Sequence, residues 1–260
     1  MPRHGSWNRR IVFAAPLAAL AVQIALKLWA PLVYAGLNVE GGVVESLQGV
    51  AFAFAAALAA RAACHLRRGG RPGQALVLAV VAGGLAFVVG EEVSWGQRLL
   101  GLKAPEFFQW YNVQREVTFH NLIGMSYLSA LGYGLVNLWG SVAWLLVPWL
   151  RGRARWVTQY VPGRHLSLYF LVAGVTYAWF PLFEHVGHRV LGIAFLHRGV
   201  FFDWFDQEPA ELLLAVGILL FMIDVGRRRV GLDTPYAEGP LVVRRPRERG
   251  ARAVRRAPVR

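Results

Sequence analysis

Long apolar stretches constrain this chain more than any other feature of its sequence. Six predominantly apolar runs follow one another along the 260 residues, and 56% of the chain is hydrophobic. A helix needs about 20 apolar residues to cross the roughly 30 Å of hydrocarbon in a bilayer. Inside hydrocarbon, backbone polar groups must find partners within the protein, and a helix satisfies them by itself. The sequence therefore predicts an all-α, polytopic helical membrane protein.

The apolar runs give approximate bounds for six spans. We predict spans over residues 11–36, 43–64, 74–92, 120–149, 166–188 and 209–226. The fourth run is too long for a simple crossing, so we expect it to be strongly tilted or broken near Gly140 and Ser141. Residues 1–226 then form one six-helix transmembrane domain, followed by a tail over residues 227–260.

Basic residues alternate between the predicted loops. Arginines precede span one, lie between spans two and three and between spans four and five, and fill the C-terminal tail. Positively charged loops face the cytoplasm, so the pattern predicts that both termini are cytoplasmic, as in a bacterial inner membrane. The tail carries eleven Arg against three acidic residues, and we expect it to be disordered or to lie along anionic lipid headgroups. The predicted topology thus explains the net charge of +13, and binding to nucleic acid is not needed to account for it.

Acidic residues gather on the opposite, outer side of the predicted membrane. Eleven of the fifteen acids and four of the seven histidines map there. They are Glu40, Glu45, Glu91, Glu92, Glu106, Glu116, Glu184, Asp203, Asp206, Glu208, Glu211, His120, His185, His188 and His197. A charge inside the membrane costs at least a few kcal/mol, and such residues usually mark function. The clustering predicts a site on the outer face.

The segment Gly-Glu-Glu-Val-Ser-Trp-Gly-Gln-Arg over residues 90–98 carries the strongest signal. Two Glu side chains at the end of a helix oppose its dipole and need compensation. If the helix continues, Glu91 and Arg98 share one stripe and pair, while Glu92 points about 100° away. Glu92 is then expected to be a general base or a metal ligand, and Arg98 to contact a substrate anion as well. A structural ion pair that shapes the loop is the alternative.

An aromatic loop over residues 105–121 follows this segment. We expect its aromatic side chains to lie in the headgroup layer as an interfacial piece or a lid. The amides predicted to bind substrate are Gln97, Asn112, Gln114 and Asn121. Glu116 and His120 share a face, and could ligate one metal, if the segment is helical. Thr118 is also a good N-cap for span four, which would leave Glu116 outside the helix.

The ends of spans five and six supply further candidates. Glu184, His185 and His188 have the i, i+3 and i, i+4 spacings that let two or three of them meet one cation or one substrate proton. Ordinary hydrogen bonding of interfacial histidines is the equal alternative. Glu208 is explained by a helix start, whereas Glu211 lies one turn deeper. The metal ligands predicted for a divalent ion, Zn or Fe, are Glu92, Glu116, His120, Glu184, His185, His188 and Glu211.

These residues resemble an uncharacterised family of bacterial multi-span membrane proteins. The resemblance is carried by residues 90–98, by Asn112-Val-Gln114 with Glu116 and His120-Asn121, and by the helix starts at Glu45 and Glu211. It covers residues 38–226 and implies a membrane location without supplying a reaction. The Glu pair, Arg98 and the histidines are also similar in kind to intramembrane CAAX-type glutamate proteases. In that family the Arg follows the Glu pair by four residues, whereas here it follows Glu92 by six.

The sequence hypothesis is a membrane-embedded hydrolase or transferase that acts at the outer face on a lipid-linked or membrane-peptide substrate. Glu91, Glu92, Arg98 and His120 are its predicted catalytic residues. A transporter or proton-coupled permease is the second hypothesis, because intramembrane acids and histidines also mark ion pathways. A membrane scaffold whose acidic face binds a partner is the third.

Overall fold

The computed structural model describes residues 8–39, 41–123, 125–182 and 207–230. Over these ranges the chain is helical, with an isolated bridge between Asn112 and Leu122 and no β-strand, which confirms the predicted all-α fold. The helices are α1 (Arg9–Trp29), α2 (Pro31–Asn38), α3 (Val43–Arg68), α4 (Pro72–Glu92), α5 (Gln97–Leu100), α6 (Glu106–Tyr111), α7 (Ser126–Val142), α8 (Val147–Arg153), α9 (Ser167–Leu182) and α10 (Gln207–Val230).

Five of the described segments are long and apolar enough to cross a membrane. They are Arg9–Trp29, Pro31–Arg68, Pro72–Glu92, Leu128–Arg153 and Gln207–Arg227. Helix α9 is also apolar and is described over 16 residues. The remainder of the predicted fifth span, with the histidine pair, lies outside the described residues. The fold is that of an integral membrane protein, and the count of six spans stays a prediction.

Pro31 divides the first predicted span into two helices. Helix α1 ends at Trp29 and α2 begins at Pro31, with Ala30 between them at φ −140° and ψ 59°. Proline has no N–H for the helical ladder and disfavours a helical backbone at the residue before it. The Lys27 ammonium lies 5.6 Å from the ring centroid of Tyr34, on the other side of this break.

The fourth predicted span differs from its prediction at both its start and its break. Helix α7 begins at Ser126 rather than at residue 120. A 3-10 turn over Ala143–Leu146 joins α7 to α8, so the expected break is present but lies just beyond Gly140 and Ser141. Pro148 stands in the first turn of α8, where its missing N–H costs nothing.

Helix α3 packs along both α4 and α10, and α9 packs against α7 and α10. The buried face of α3 carries the small side chains Ala51, Ala55, Ala59, Ala62 and Ala63. Small residues let membrane helices approach closely, which replaces the hydrophobic driving force that is absent in lipid. This packing brings together the start of α3, the end of α4 and the start of α10. We call this the acidic end, since it carries Glu45, Glu92, Glu208 and Glu211.

Gly140 of α7 packs tightly against α9. A Cβ added at Gly140 would lie 2.0 Å from the ring of Phe170, whose side chain is fully buried. At Gly132 of the same helix, an added Cβ meets nothing within 4 Å. The two glycines therefore form a matched pair for testing the packing.

We expect Gly140→Ala to lower the stability of the protein by about 1–3 kcal/mol, because the methyl group overpacks the α7–α9 contact. Gly132→Ala should be neutral or slightly stabilising, because Ala is the better helix former. Thermal unfolding of both variants in detergent measures the difference. Equal effects of the two substitutions would contradict this packing.

Candidate functional site

The chain leaves the helical conformation directly after Glu92. Ser94 and Trp95 adopt positive φ values of 47° and 52°, and Gly96 follows at 83°. Helix α4 therefore ends at Glu92, as the predicted bounds of span three had it, and the single stripe that would join Glu91 to Arg98 does not form. Left-handed backbone is costly for residues with a side chain, so tertiary contacts must hold Ser94 and Trp95 there. Gly90 gives the indole room, because a Cβ at that position would lie 3.0 Å from the Trp95 ring.

Glu91 is the anchor of the loop that follows α4. Its Oε1 accepts from Trp95 Nε1 at 2.7 Å. Its Oε2 accepts from the backbone N–H of Phe119 at 2.6 Å and of His120 at 3.0 Å, and contacts His120 Nδ1 at 3.0 Å. Glu91 is buried, with 5% of the residue exposed, so these donors replace the water that would otherwise solvate its carboxylate. Glu91 fixes residues 119–120 against the end of α4.

Arg98 pairs with Glu45 and Glu116, which differs from the predicted pair with Glu91. Its Nη1 donates to Glu45 Oε1 at 2.8 Å, and its Nη2 lies 2.7 Å from Glu116 Oε2. Arg98 Nε also donates to both oxygens of Glu116, at 2.8 and 2.9 Å. The planar guanidinium suits such a fork of contacts. Arg98 thereby ties the loop to the start of α3.

Glu116 is held as an anion at this junction. Partial burial alone would raise the pKa of Glu116, but hydrogen bonds from Arg98 and Ser94, together with the Arg98 charge, outweigh it and lower the pKa. The Ser94 hydroxyl donates to Glu116 Oε2 at 2.5 Å. Ser94 is fully buried, so this bond also satisfies the hydrogen-bonding need of its hydroxyl group.

Asn112 organises the turns between α6 and α7. Its Nδ2 donates to the carbonyl of Thr118 at 2.6 Å and to Thr118 Oγ1 at 2.9 Å. Its Oδ1 accepts from the backbone N–H of Gln114 at 2.9 Å and of Glu116 at 3.3 Å. Thr118 thus belongs to the loop and does not cap α7. Because this segment is not helical, Glu116 and His120 do not share the helix face on which their joint metal site depended.

The remaining predicted amides also bond within the loop. Gln97 Oε1 accepts from the backbone N–H of Val117 at 2.7 Å, and Asn121 Nδ2 donates to Gln114 Oε1. These contacts give Gln97, Asn112, Gln114 and Asn121 a structural role in the described loop. Their predicted role in substrate binding stays a prediction.

Aromatic rings cover the same loop. Phe87 of α4 packs against Trp95 and Phe119, with ring centroids 5.5 and 6.0 Å away, and Phe119 packs against Phe108 at 5.7 Å. Trp110 is 77% exposed, and Phe107 and Tyr111 are exposed as well. The predicted position of this segment in the headgroup layer stays a prediction.

Glu92 faces away from this loop and into the helix packing. It is half-buried, and its Cβ lies 3.9 Å from the position that a Cβ on Gly49 of α3 would take. Glu211 of α10 is half-buried beside it, and the two carboxyl groups lie within electrostatic range of each other. Gln48 joins the two. Its Nε2 donates to Glu211 Oε2 at 3.0 Å, and its side chain also lies within hydrogen-bonding range of Glu92.

The structure thus separates the predicted site residues into two groups. Glu91, Arg98, Glu116 and His120 build the loop, and Glu92 and Glu211 form a carboxyl pair between helices. Gln48 links the two carboxyl groups, and the sequence analysis did not predict it as a site residue. The signal was its position three residues after Glu45, on the same face, directly before an apolar run over residues 49–60.

Among the described residues, no three His, Cys, Asp or Glu side chains are placed to hold a metal ion together. Glu184, His185 and His188 lie outside the described residues. The predicted Zn or Fe therefore stays a prediction.

Comparisons of the chain with protein-family models, curated proteins and solved structures found no match. The fold and the site define its class as an integral, all-α membrane protein with a carboxyl pair between α4 and α10.

We expect Glu91→Gln to loosen the loop, because an amide places an N–H donor where the carboxylate accepted one. A buried donor without an acceptor costs about 1–3 kcal/mol. Hydrogen exchange of a peptide containing Phe119 and His120 should become about 10-fold faster or more. The matched control is Glu106→Gln on the exposed start of α6. If the two variants exchange alike, Glu91 is not the anchor.

Glu116→Gln should destabilise the protein by about 1–2 kcal/mol at pH 7, because it removes the anion that Arg98 and Ser94 bind. The lowered pKa of Glu116 means that its contribution is complete above the ordinary Glu value of about 4.3 and is lost as the pH falls through the lowered value. The difference between the unfolding midpoints of the wild type and the variant should therefore begin to shrink as the pH falls below the ordinary Glu value of about 4.3. A constant difference down to pH 3 would contradict this assignment.

Proposed function

We propose that the protein is a membrane-embedded hydrolase or transferase that uses the Glu92–Glu211 pair on a lipid-linked or membrane-peptide substrate. The observation that carries the proposal is the meeting of two carboxyl groups, from helices far apart in sequence, at the fully buried Gln48. A bilayer protein without chemistry gains little from placing two acids in its helix packing. Neither acid takes part in the hydrogen bonds that build the loop.

Two neighbouring carboxyl groups supply an acid and a base. As the general base, Glu92 takes a proton from water or from an acceptor hydroxyl, whose oxygen then attacks the substrate. As the general acid, Glu211 returns a proton to the leaving group. The positioned proton transfers contribute about 10²–10⁴-fold each in enzymes that use them.

The surroundings support an amphiphilic substrate. Phe87, Trp95 and Phe119 are each about half exposed beside the acidic end and offer an apolar surface next to the carboxyl pair. The Arg98 side chain is 29% exposed and is the nearby cation for an anionic substrate group. The proposal takes this end to lie on the outer face of a bacterial cytoplasmic membrane, which the charge pattern of the loops supports.

A proton-coupled transporter is the second candidate, and one contact favours it. Asp224, near the other end of α10, lies 3.1 Å from His165 Nε2. Glu211 and Asp224 are about 20 Å apart along α10 at 1.5 Å per residue. The α10 residues between them are all apolar or Gly, so this helix alone offers no relay. The enzyme proposal is therefore preferred.

We expect Glu92→Gln and Glu211→Gln to abolish activity while leaving the fold intact, because each keeps the side-chain shape and removes an ionisable group. The measurement is the lipid and lipid-linked intermediate profile of cells that carry the wild type, each variant or no copy of the gene. Both variants should match the strain without the gene, and Glu106→Gln should match the wild type at equal protein level. The proposal fails if both variants restore the wild-type profile.

A further inference from the structure

Two arginines stack on tryptophans where the chain leaves α7, at the end of the bundle opposite the acidic end. The Arg153 guanidinium carbon lies 4.7 Å from the ring centroid of Trp149, and that of Arg164 lies 5.4 Å from the ring centroid of Trp144. A guanidinium over an indole face is attracted by the charge distribution of the ring. Trp144 thereby brings Arg164 back to the turn that joins α7 to α8. We call Trp144, Trp149, Arg153 and Arg164 the Arg–Trp surface.

The surroundings of this surface offer the two guanidinium groups no carboxylate. Residues 117–183 contain neither Asp nor Glu. Asp224 of α10 lies 3.1 Å from Nε2 of His165, the residue after Arg164. Neither Arg153 nor Arg164 forms an ion pair with a residue that the structure describes, and both are exposed. Their positive charges therefore face an anion from outside the chain.

Apolar side chains on the same segment favour a lipid as the source of that anion. Leu145, Leu146, Trp149 and Trp156 are each 56–57% exposed. The first three belong to Leu128–Arg153, one of the segments that are long and apolar enough to cross a membrane. Tryptophan is enriched at the interface between membrane and water, and long Arg side chains reach from there to the headgroups. A surface for a soluble acidic partner has no need of leucines beside its arginines.

We propose that the Arg–Trp surface binds the phosphate of an anionic phospholipid in the leaflet on its side of the membrane. A guanidinium group matches the oxygens of a phosphate with two parallel hydrogen bonds, and the indole beneath it limits its motion. Anionic lipids attract basic residues that lie just outside a spanning helix. The inference goes beyond the proposed function, because it concerns the opposite end of the bundle. It also differs from the contact expected of the C-terminal tail, since these four residues belong to the helical part of the chain.

The test compares the full-length protein in nanodiscs of phosphatidylcholine with nanodiscs that also contain phosphatidylglycerol with the same acyl chains. Hydrogen exchange of a peptide over residues 147–160 reports on the surface itself, so lipid bound by the C-terminal tail does not enter the measurement. We expect phosphatidylglycerol to slow the exchange of this peptide by about 5-fold for each guanidinium that binds it. Added salt should weaken the effect.

Variants assign the effect to the two arginines. Arg153→Gln and Arg164→Gln should each reduce the effect of phosphatidylglycerol, and the double variant should abolish it. Arg68→Gln is the matched control, because it removes an equal charge from the exposed end of α3, and it should leave the effect unchanged. The double Lys variant of Arg153 and Arg164 keeps both charges and should keep most of the effect. Rates in the two lipids are compared within each variant, so a loosened α8 does not imitate lost binding.

Other results overturn the inference. It fails if the two lipids give the wild type equal exchange, or if Arg68→Gln lowers the effect as much as the double Gln variant does. It also fails if free inorganic phosphate or poly-glutamate protects the peptide equally in phosphatidylcholine nanodiscs. Phosphate would then assign the surface to a soluble anion, and poly-glutamate would assign it to an acidic protein.

Discussion

The cost of leaving a polar group without a partner beside hydrocarbon governs the acidic end of this protein. Water is scarce there, so each carboxylate, amide and backbone N–H needs a partner from the chain. Glu91 answers this need for the loop after α4, since it accepts from the indole of Trp95 and from two backbone N–H groups. Without these bonds, the left-handed backbone at Ser94 and Trp95 has little to hold it.

The same constraint distinguishes the polar residues that have a structural role from those that are proposed to act in the reaction. Glu116 and Asn112 bond within the loop, Arg98 bonds to Glu116 and to Glu45 of α3, and these contacts explain why the chain carries them there. Glu92 and Glu211 are different, because they lie within electrostatic range of each other and both contact the amide of Gln48. The proposed reactive part of the molecule is therefore smaller than the acidic cluster as a whole. Of the loop residues, the proposal gives a contact with substrate to Arg98.

Several features were predictable because they depend on local sequence. The all-α membrane fold and the start of α3 follow from the lengths of the apolar runs. The start of α4 coincides with Pro72. The break after α7 follows from a span that is too long for one crossing, and Pro148 lies in the first turn of the helix after it. The division of span one was present in Pro31 but was hidden by the continuity of the apolar run. The pairing of Arg98 was not predictable in the same way. It depends on the left-handed backbone at residues 94–96, after which Arg98 lies beside Glu45 of α3 rather than beside Glu91.

The sequence by itself indicated that the chain enters a membrane, that most of its acids belong to one side of it, and that Glu92 and Glu211 are candidates for function. Those conclusions follow from hydropathy and charge, which act through the composition of each segment. Only the tertiary structure decided which acid meets which partner, because Glu211 and Gln48 are 163 positions apart and nothing local links them. Helix packing between α3, α4 and α10 creates that meeting, and it turns a diffuse acidic face into a carboxyl pair around one buried amide.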